Sequence, residues 1–300
     1  MRLAPRQHVD PRCGPSARRR AAVVALLVLA AGIAGCQVQE SGPERPEASA
    51  ANRPSPAAPH LRWTEVEVER QSSRCGRPGE ACARARLAYP DFEGDDALAR
   101  AARGWTAQRM TEHTLLEAGS LASPEALAED FVAGFDAFQA DYPEDLLPPW
   151  ELDRTVEVAA ASGPVVVLLV SEMVYTGGAH PNSWVRYQAM VPETGELLSL
   201  DAMVTPGGEA ALQSLVEARF REDVGLRRDQ PLTEAGLFED RIPLVDNVDP
   251  SPRGLTFHFN PYAIGPYAMG MIRVTLPWDR VRPHLAPATA RLLAPWLEVE

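Results

Sequence analysis

Val165 to Val191 is the stretch that most limits what this chain can fold into. It opens with the apolar run Val165-Val166-Val167-Leu168-Leu169-Val170 and closes with Trp184-Val185-Arg186-Tyr187-Gln188-Ala189-Met190-Val191. Between them lies Tyr175-Thr176-Gly177-Gly178-Ala179-His180-Pro181-Asn182. β-Branched and aromatic residues on both flanks favour strands, the adjacent glycines allow positive φ, and Pro181 fixes its own φ and removes a donor. The pattern predicts two long strands joined by a loop of one shape, presenting Tyr175, Thr176, His180 and Asn182 from a sheet edge. The plainest reading of that loop is a wide hairpin connection whose polar groups satisfy their own backbone.

The N-terminus reads as an address. Arg18-Arg19-Arg20 precede the apolar stretch Ala21 to Ala34, too short to cross a hydrocarbon core of roughly 30 Å as a helix, so residues 1–35 read as a signal peptide. The stretch ends in Ile33-Ala34-Gly35-Cys36, which resembles the lipobox of bacterial lipoproteins and implies lipidation of Cys36 with loss of what precedes it. Gln37, not Asp, follows the cysteine, and in Gram-negative lipoproteins that implies an outer-membrane destination facing the periplasm. Residues 36–60 carry Pro43, Pro46, Pro54, Pro56 and Pro59 and almost no large apolar side chain, so they read as a disordered tether. The folded part is expected to begin near Leu61.

Charge narrows the partners. Loss of residues 1–35 takes away six arginines and Asp10, reducing 29 basic and 41 acidic groups to 23 and 40, a formal charge of −17. A field of that sign repels nucleic acid and anionic headgroups and favours basic partners. The remaining chain can build one or two small domains with real cores.

Besides Cys36 the mature chain holds Cys75 and Cys82, separated by turn-forming residues and flanked by alternating segments, Trp63 to Arg70 and Ala83 to Tyr89. In an oxidising compartment this predicts a hairpin closed by a disulfide, worth roughly 2–3 kcal/mol by chain-entropy reasoning. The spacing is too wide for a CxxC redox pair, and no further mature cysteine supports zinc.

Two helices should follow. Asp95 and Asp96 precede Leu98, Ala101, Ala102 and Trp105 at helical spacing, with His113 and Glu117 further along the same helix as an exposed i, i+4 pair. Ser123 and Pro124 suit N-cap and N1 of a second helix with Leu127, Phe131, Phe135 and Phe138 on one stripe. A strand over Glu151–Ala160 leads into the central pair, and Glu196–Leu200 reads as a short edge or hairpin strand. Thr205-Pro206 reads as N-cap and N1 of a helix through Phe220. Asp246-Asn247-Val248-Asp249 lacks the alternation and glycine of a calcium loop, so it reads as an acidic loop.

The second informative stretch is Phe257-His258-Phe259-Asn260-Pro261-Tyr262 through Ile264, Gly265, Pro266, Tyr267 and Gly270. Phe257 and Phe259 face one way and His258 the other, then two prolines break the ladder, leaving an irregular loop with Asn260, Tyr262 and Tyr267 near a sheet end. A strand over Met271–Trp278 follows, then closing helices over Asp279–Leu285 and Ala288–Leu297.

Together, Tyr-Thr-Gly-Gly-Ala-His-Pro at 175–181 and the Phe-Xaa-Phe-Asn-Pro-Tyr motif with its continuation at 257–270 resemble the RsiV C-terminal-like family of extracytoplasmic domains. The segment around Tyr89-Pro90 resembles the companion domain, also found as the N-terminal part of some peptidoglycan deacetylases. The resemblance implies an α+β fold in two small subdomains, residues 61–160 with the Cys75–Cys82 hairpin and residues 161–300, each an antiparallel or mixed sheet packed with helices. Relatives bind lysozyme or accompany a deacetylase, but no sigma-binding domain precedes a membrane span here and no deacetylase domain follows, so neither activity carries over.

Three functions compete. The first is a binding protein, held to the membrane by the lipid at Cys36, that recognises a lysozyme-like basic protein or a peptidoglycan fragment without catalysis, cofactor or metal. The second is an envelope enzyme with His180 as general base beside Tyr175 or Tyr267. No Gly-Xaa-Ser-Xaa-Gly, His-Glu-Xaa-Xaa-His or orphan cysteine supports it, while a paired-carboxylate glycosidase stays open because its acids need not be neighbours in sequence. The third is a purely structural lipoprotein, for which loop substitutions would change nothing. Radiolabelled palmitate is expected to mark the wild-type protein and to leave a Cys36→Ala variant unmarked; equal labelling of the two would remove the anchor.

Overall fold

A computed structural model describes residues 61–73, 75–76, 81–113, 119–142 and 148–298. The signal peptide, Cys36, the tether and Glu117 lie outside them. Strand β1 (Arg62–Gln71) turns back antiparallel into β2 (Ala83–Glu93), and a disulfide joins Cys75 to Cys82 at the turn. β2 runs on past Pro90 because its pairing with the third strand stops at Ala88, so beyond that point the chain has only β1 to bond.

Helices α1 (Ala97–Thr111) and α2 (Pro124–Asp141) form the crossover that lets β3 (Trp150–Ala160) lie parallel to β2. Asp96 caps α1 by accepting from the Ala99 N–H, and Ser123 caps α2 by accepting from Ala126 N–H, with Pro124 in the first turn. α1 ends at Thr111, so His113 sits past it in a short bridge opposite Gly119 and Ser120, not on a helix face. The sheet continues antiparallel through β4 (Val166–Tyr175), β5 (Asn182–Met190) and the two-residue edge strand β6 (Leu197–Leu198), giving the order β1-β2-β3-β4-β5-β6. The glycine-rich loop joins β4 to β5, which beside the loop pairs with β4 alone, and it projects from the end of the sheet.

The chain then forms α3 (Leu200–Met203) and α4 (Gly208–Val224). α4 starts later than Thr205-Pro206 suggests, because the Thr205 N–H and hydroxyl both bond the His284 carbonyl and Gly207, at φ +83°, takes the cap position. A second sheet, β7 (Val248–Ser251), β8 (Gly254–Phe259) and β9 (Ile272–Leu276), is antiparallel throughout. The segment expected to be an acidic loop thus supplies a strand at Val248–Ser251. Short helices α5 (Trp278–Val281), α6 (Pro287–Leu292) and α7 (Ala294–Leu297) close the chain, and Pro295 accounts for the break between the last two.

The architecture is α+β with two cores that meet at β4, where a period of two sends alternate side chains to opposite faces. Val166, Leu168, Val170 and Val174 join Trp105, Leu127, Phe131 and Phe135 in the first core, while Val165 and Val167 join the second with Leu212, Val216, Phe220, Phe257 and Phe259. The expected division near residue 160 falls between β3 and β4, neighbours in one sheet.

Two asparagine side chains join the sheets. β6 covers only the end of β5, leaving the backbone of Val185 and Tyr187 exposed along the outer edge. Asn247 Oδ1 accepts from Tyr187 N–H at 2.9 Å and its Nδ2 donates to the carbonyls of Val185 at 2.9 Å and His258 at 3.2 Å. Asn260 Oδ1 accepts from Val185 N–H at 2.9 Å and its Nδ2 donates to the Val185 carbonyl at 3.0 Å. Each amide stands in for a peptide group of a missing neighbouring strand.

Asn247→Ala is expected to cost about 2–3 kcal/mol, because it strands the Tyr187 N–H at a partly buried junction. Asn247→Asp should cost at least as much, since a carboxylate would face two carbonyls. Urea unfolding checks both, and wild-type midpoints would show that the junction does not depend on this amide.

Candidate functional site

The site grows from where the sheets are joined. Asn260, fixed on β5, starts the loop after β8, and three hydrogen bonds shape the turns that follow: Ala263 N–H to the Asn260 carbonyl, Met269 N–H to the Pro266 carbonyl and Gly270 N–H to the Tyr267 carbonyl. On the facing side, Gly177 has φ +94° and a Cβ there would collide with the Pro148 ring, so the 176–181 loop needs glycine for both conformation and close approach. The loops meet at His180, Tyr262 and Tyr267.

The His180 ring stacks on Tyr267 with centroids 3.5 Å apart and planes 12° from parallel. Its Nδ1 lies 2.9 Å from the Pro181 carbonyl, which can only accept, so the proton is assigned to Nδ1. Nε2 then accepts from the Tyr262 hydroxyl at 3.3 Å. Tyr262 has φ +68°, the one non-glycine residue with positive φ among those described, and it is 54% exposed. A large aromatic ring is thus held in solvent at a backbone cost of roughly 1–2 kcal/mol.

The other sequence candidates are placed differently. Asn260 is spent on the β5 backbone and does not face solvent as a free amide. Tyr175 closes β4 opposite Glu151, Asn182 opens β5 opposite Val174, and Thr176 is exposed in the loop. Tyr262, not Tyr175 or Tyr267, brings a hydroxyl to His180.

Sequence reasoning missed two features. The first is a buried row across three strands. Arg154 Nε donates to Glu172 Oε2 at 2.7 Å, and Trp184 Nε1 donates to Glu172 Oε1 at 2.8 Å. Another Arg154 nitrogen donates to the carbonyls of Arg109 and Glu112, closing the C-terminal end of α1. Arg154 and Glu172 have no exposed side-chain surface, and their cross-strand register is the only trace that a sequence would carry.

The second is a buried polar cluster where the sheets meet. His258 stacks on Tyr187 at 4.1 Å and neither ring nitrogen has a partner. Burial, reinforced by Arg273, pushes His258 down to about 4, while burial pushes Asp249 up to about 6 against the opposing pull of Arg253. Burial also raises the Tyr187 hydroxyl, with Asp249 adding to it.

With that geometry in place, comparison with known proteins adds a partial relationship. Residues 201–279 match the family described as Protein of unknown function (DUF3298). The match takes in Phe257–Gly270 and stops short of Val165–Val191. Among solved structures, a DUF3298 family member from Bacteroides fragilis superposes with a TM-score of 0.63 at 18% identity, covering 78% of this chain and 98% of that one. A DUF3298 family protein from Pseudomonas aeruginosa gives 0.55 at 18%, covering 76% and 96%. Likeness at such identities speaks for the fold alone. Among curated proteins none matches the chain.

The buried cluster yields a pH prediction. Between about 4 and 6 folded Asp249 holds a proton that the unfolded chain has released, so its contribution to stability falls as pH rises. His258, whose folded value lies below its unfolded one, contributes the opposite slope from about 4 to its unfolded value near 6.5. Asp249→Asn removes the first slope. Its advantage over wild type should grow from pH 4 to pH 6 and then level off, reaching at most about 2–3 kcal/mol. Urea midpoints across that range check it; a pH-independent difference would mean that Asp249 titrates normally.

Proposed function

We propose that this chain is a lipid-anchored protein of the bacterial envelope, held through Cys36 and facing the periplasm from the outer membrane, that binds a cell-wall fragment without turning it over. The binding surface is the patch formed by His180, Tyr262 and Tyr267. One observation carries the reading: a half-exposed tyrosine at φ +68°, fastened by its hydroxyl to a histidine that is itself stacked on a second tyrosine. Rigid aromatic rings offer large contact area at low entropic cost, and their faces suit the C–H faces of sugar rings. The RsiV-type resemblance points to the same compartment. The charge of the mature chain supports a second ligand, a basic lysozyme-like protein, whose encounter an acidic surface would speed.

Catalysis has less to draw on. Among the described residues His180 Nδ1 is oriented by a backbone carbonyl and its Nε2 meets a tyrosine hydroxyl, and neither contact is the carboxylate or the hydroxyl–base pair that a hydrolase would use.

Calorimetric titration of the purified full chain with muropeptides, and separately with a lysozyme, tests the reading. Saturable binding is expected, weakened at least tenfold in His180→Ala and Tyr267→Ala while thermal stability is kept. No binding to either at millimolar ligand and low salt would sink it, and turnover of labelled peptidoglycan lost in His180→Ala would replace it with an enzyme.

A further inference from the structure

A cleft of about 420 Å³ opens at the outer edge of β5, lined by Arg109 and Glu112 from the end of α1, by Trp184 and Arg186, and by Asp246 with the two junction asparagines. Its size suits a small organic molecule or the end of a larger one. Most polar groups around it are committed. Trp184 Nε1 donates to Glu172, the asparagine amides serve the β5 backbone, and Arg154 is closed off with Glu172 beneath the floor.

Two guanidiniums are not fully used. Arg109 pairs with Glu112 at 2.6 Å, yet its Nε is buried without an acceptor, in a side chain only 9% exposed. Arg186 is exposed and has no carboxylate within ion-pair distance among the described residues. Burial lowers the Arg109 pKa against the pull of Glu112, and the like charges of Arg186 and Arg154 add to the lowering. Asp246, in the same lining, accepts from the Leu200 N–H through Oδ1 at 2.6 Å, which leaves Oδ2 for a donor.

We infer that this cleft is a binding site for an organic monoanion, a carboxylate held by the exposed fork of Arg186 with the buried charge of Arg109 behind it, and with a hydrogen-bond donor on the same molecule reaching Asp246. α1 and β5 carry one positive charge beyond the Arg109–Glu112 and Arg154–Glu172 pairs, which matches a single negative charge, and Asp246 in the same lining disfavours a dianion such as phosphate. A guanidinium fork binds a carboxylate through two parallel hydrogen bonds, which adds direction as well as attraction. The ligand's remainder would lie over Trp184. In a protein so acidic overall, an open cleft whose two arginines balance Glu112 and Asp246 is a local relief of the negative field, and it does not depend on the aromatic patch being a binding surface.

Carboxylates of this kind end peptides and substitute sugars, so both sources enter the test. The purified full chain is titrated at low salt with N-acetylglycine, with glucuronic acid, with uncharged N-acetylglycinamide and with inorganic phosphate. The readout is the NMR signals of the Trp184 indole N–H, assigned through Trp184→Phe, and the Arg186 Nε–H. At least one carboxylate should shift both signals saturably and lose affinity with added salt. Arg186→Gln should weaken that binding at least tenfold with an unchanged melting temperature, and Arg186→Lys should fall between. Whichever carboxylate binds names the source. Equal binding of the amide, tighter binding of phosphate, indifference to Arg186→Gln or no saturable shift from either carboxylate would each overturn the site.

Discussion

Everything distinctive about this molecule depends on the outer edge of β5 being finished by side chains instead of by another strand. β6 pairs with Ala189 and Met190 only, so the backbone of Val185 and Tyr187 would otherwise stand unpaired at a partly buried seam. Each such group left without a partner costs about 1–3 kcal/mol, a large fraction of the net stability of a domain. Asn247 and Asn260 remove that cost, and because both belong to segments flanking β7 and β8, they also fix where the second sheet lies. Asn247 adds the His258 backbone to the same junction, accepting its N–H at 2.9 Å through the main chain. The loop that starts at Asn260 reaches His180 through Tyr262 and Tyr267.

Beneath the same seam lies the buried Arg154–Glu172 pair. Taking two charges out of water is expensive, and their attraction offsets the cost only when remaining donors and acceptors are met. Here the Trp184 indole meets one carboxylate oxygen, while the last carbonyls of α1 take the guanidinium. The arrangement is weak grounds for added stability and good grounds for fixed geometry. It holds the end of α1 against β3 and sets the Trp184 ring and the Arg109 side chain as neighbouring walls of the cleft.

What the sequence revealed follows from the range of the forces involved. Strand alternation, the Ser123 cap with Pro124, the Cys75–Cys82 turn and the glycine-rich connection are written in residues within a few positions of one another, and each has its counterpart in the structure. The late start of α4 was not legible, because the bond that removes Thr205 from the cap comes from His284. β7 was not legible because Asp246-Asn247-Val248-Asp249 has the composition of a loop; it becomes a strand through pairing with Leu255 to Phe257 and through an asparagine that bonds across to β5. Nor could residue chemistry separate Asn260, which braces, from Tyr262, which is displayed, although both sit in one motif.

The conformation of Tyr262 bears on why an exposed tyrosine is held there at all. A left-handed backbone costs a side-chain-bearing residue roughly 1–2 kcal/mol that glycine would not incur. Against this stand one hydroxyl bond to His180 at 3.3 Å, long for its kind, and a tilted ring contact with Tyr267 at 5.8 Å. Partly exposed contacts of this sort return about 1 kcal/mol each at best, so the chain on its own gains little from a tyrosine in this position. A ligand that covered the half-exposed ring would change that balance. Burying an aromatic face contributes in proportion to the area removed from water, and His180 and Tyr267 already hold neighbouring rings in place. On the proposed reading the strain would be the cost of presenting a rigid surface before a ligand arrives, the same preorganisation that the asparagine junction gives to the loop behind it.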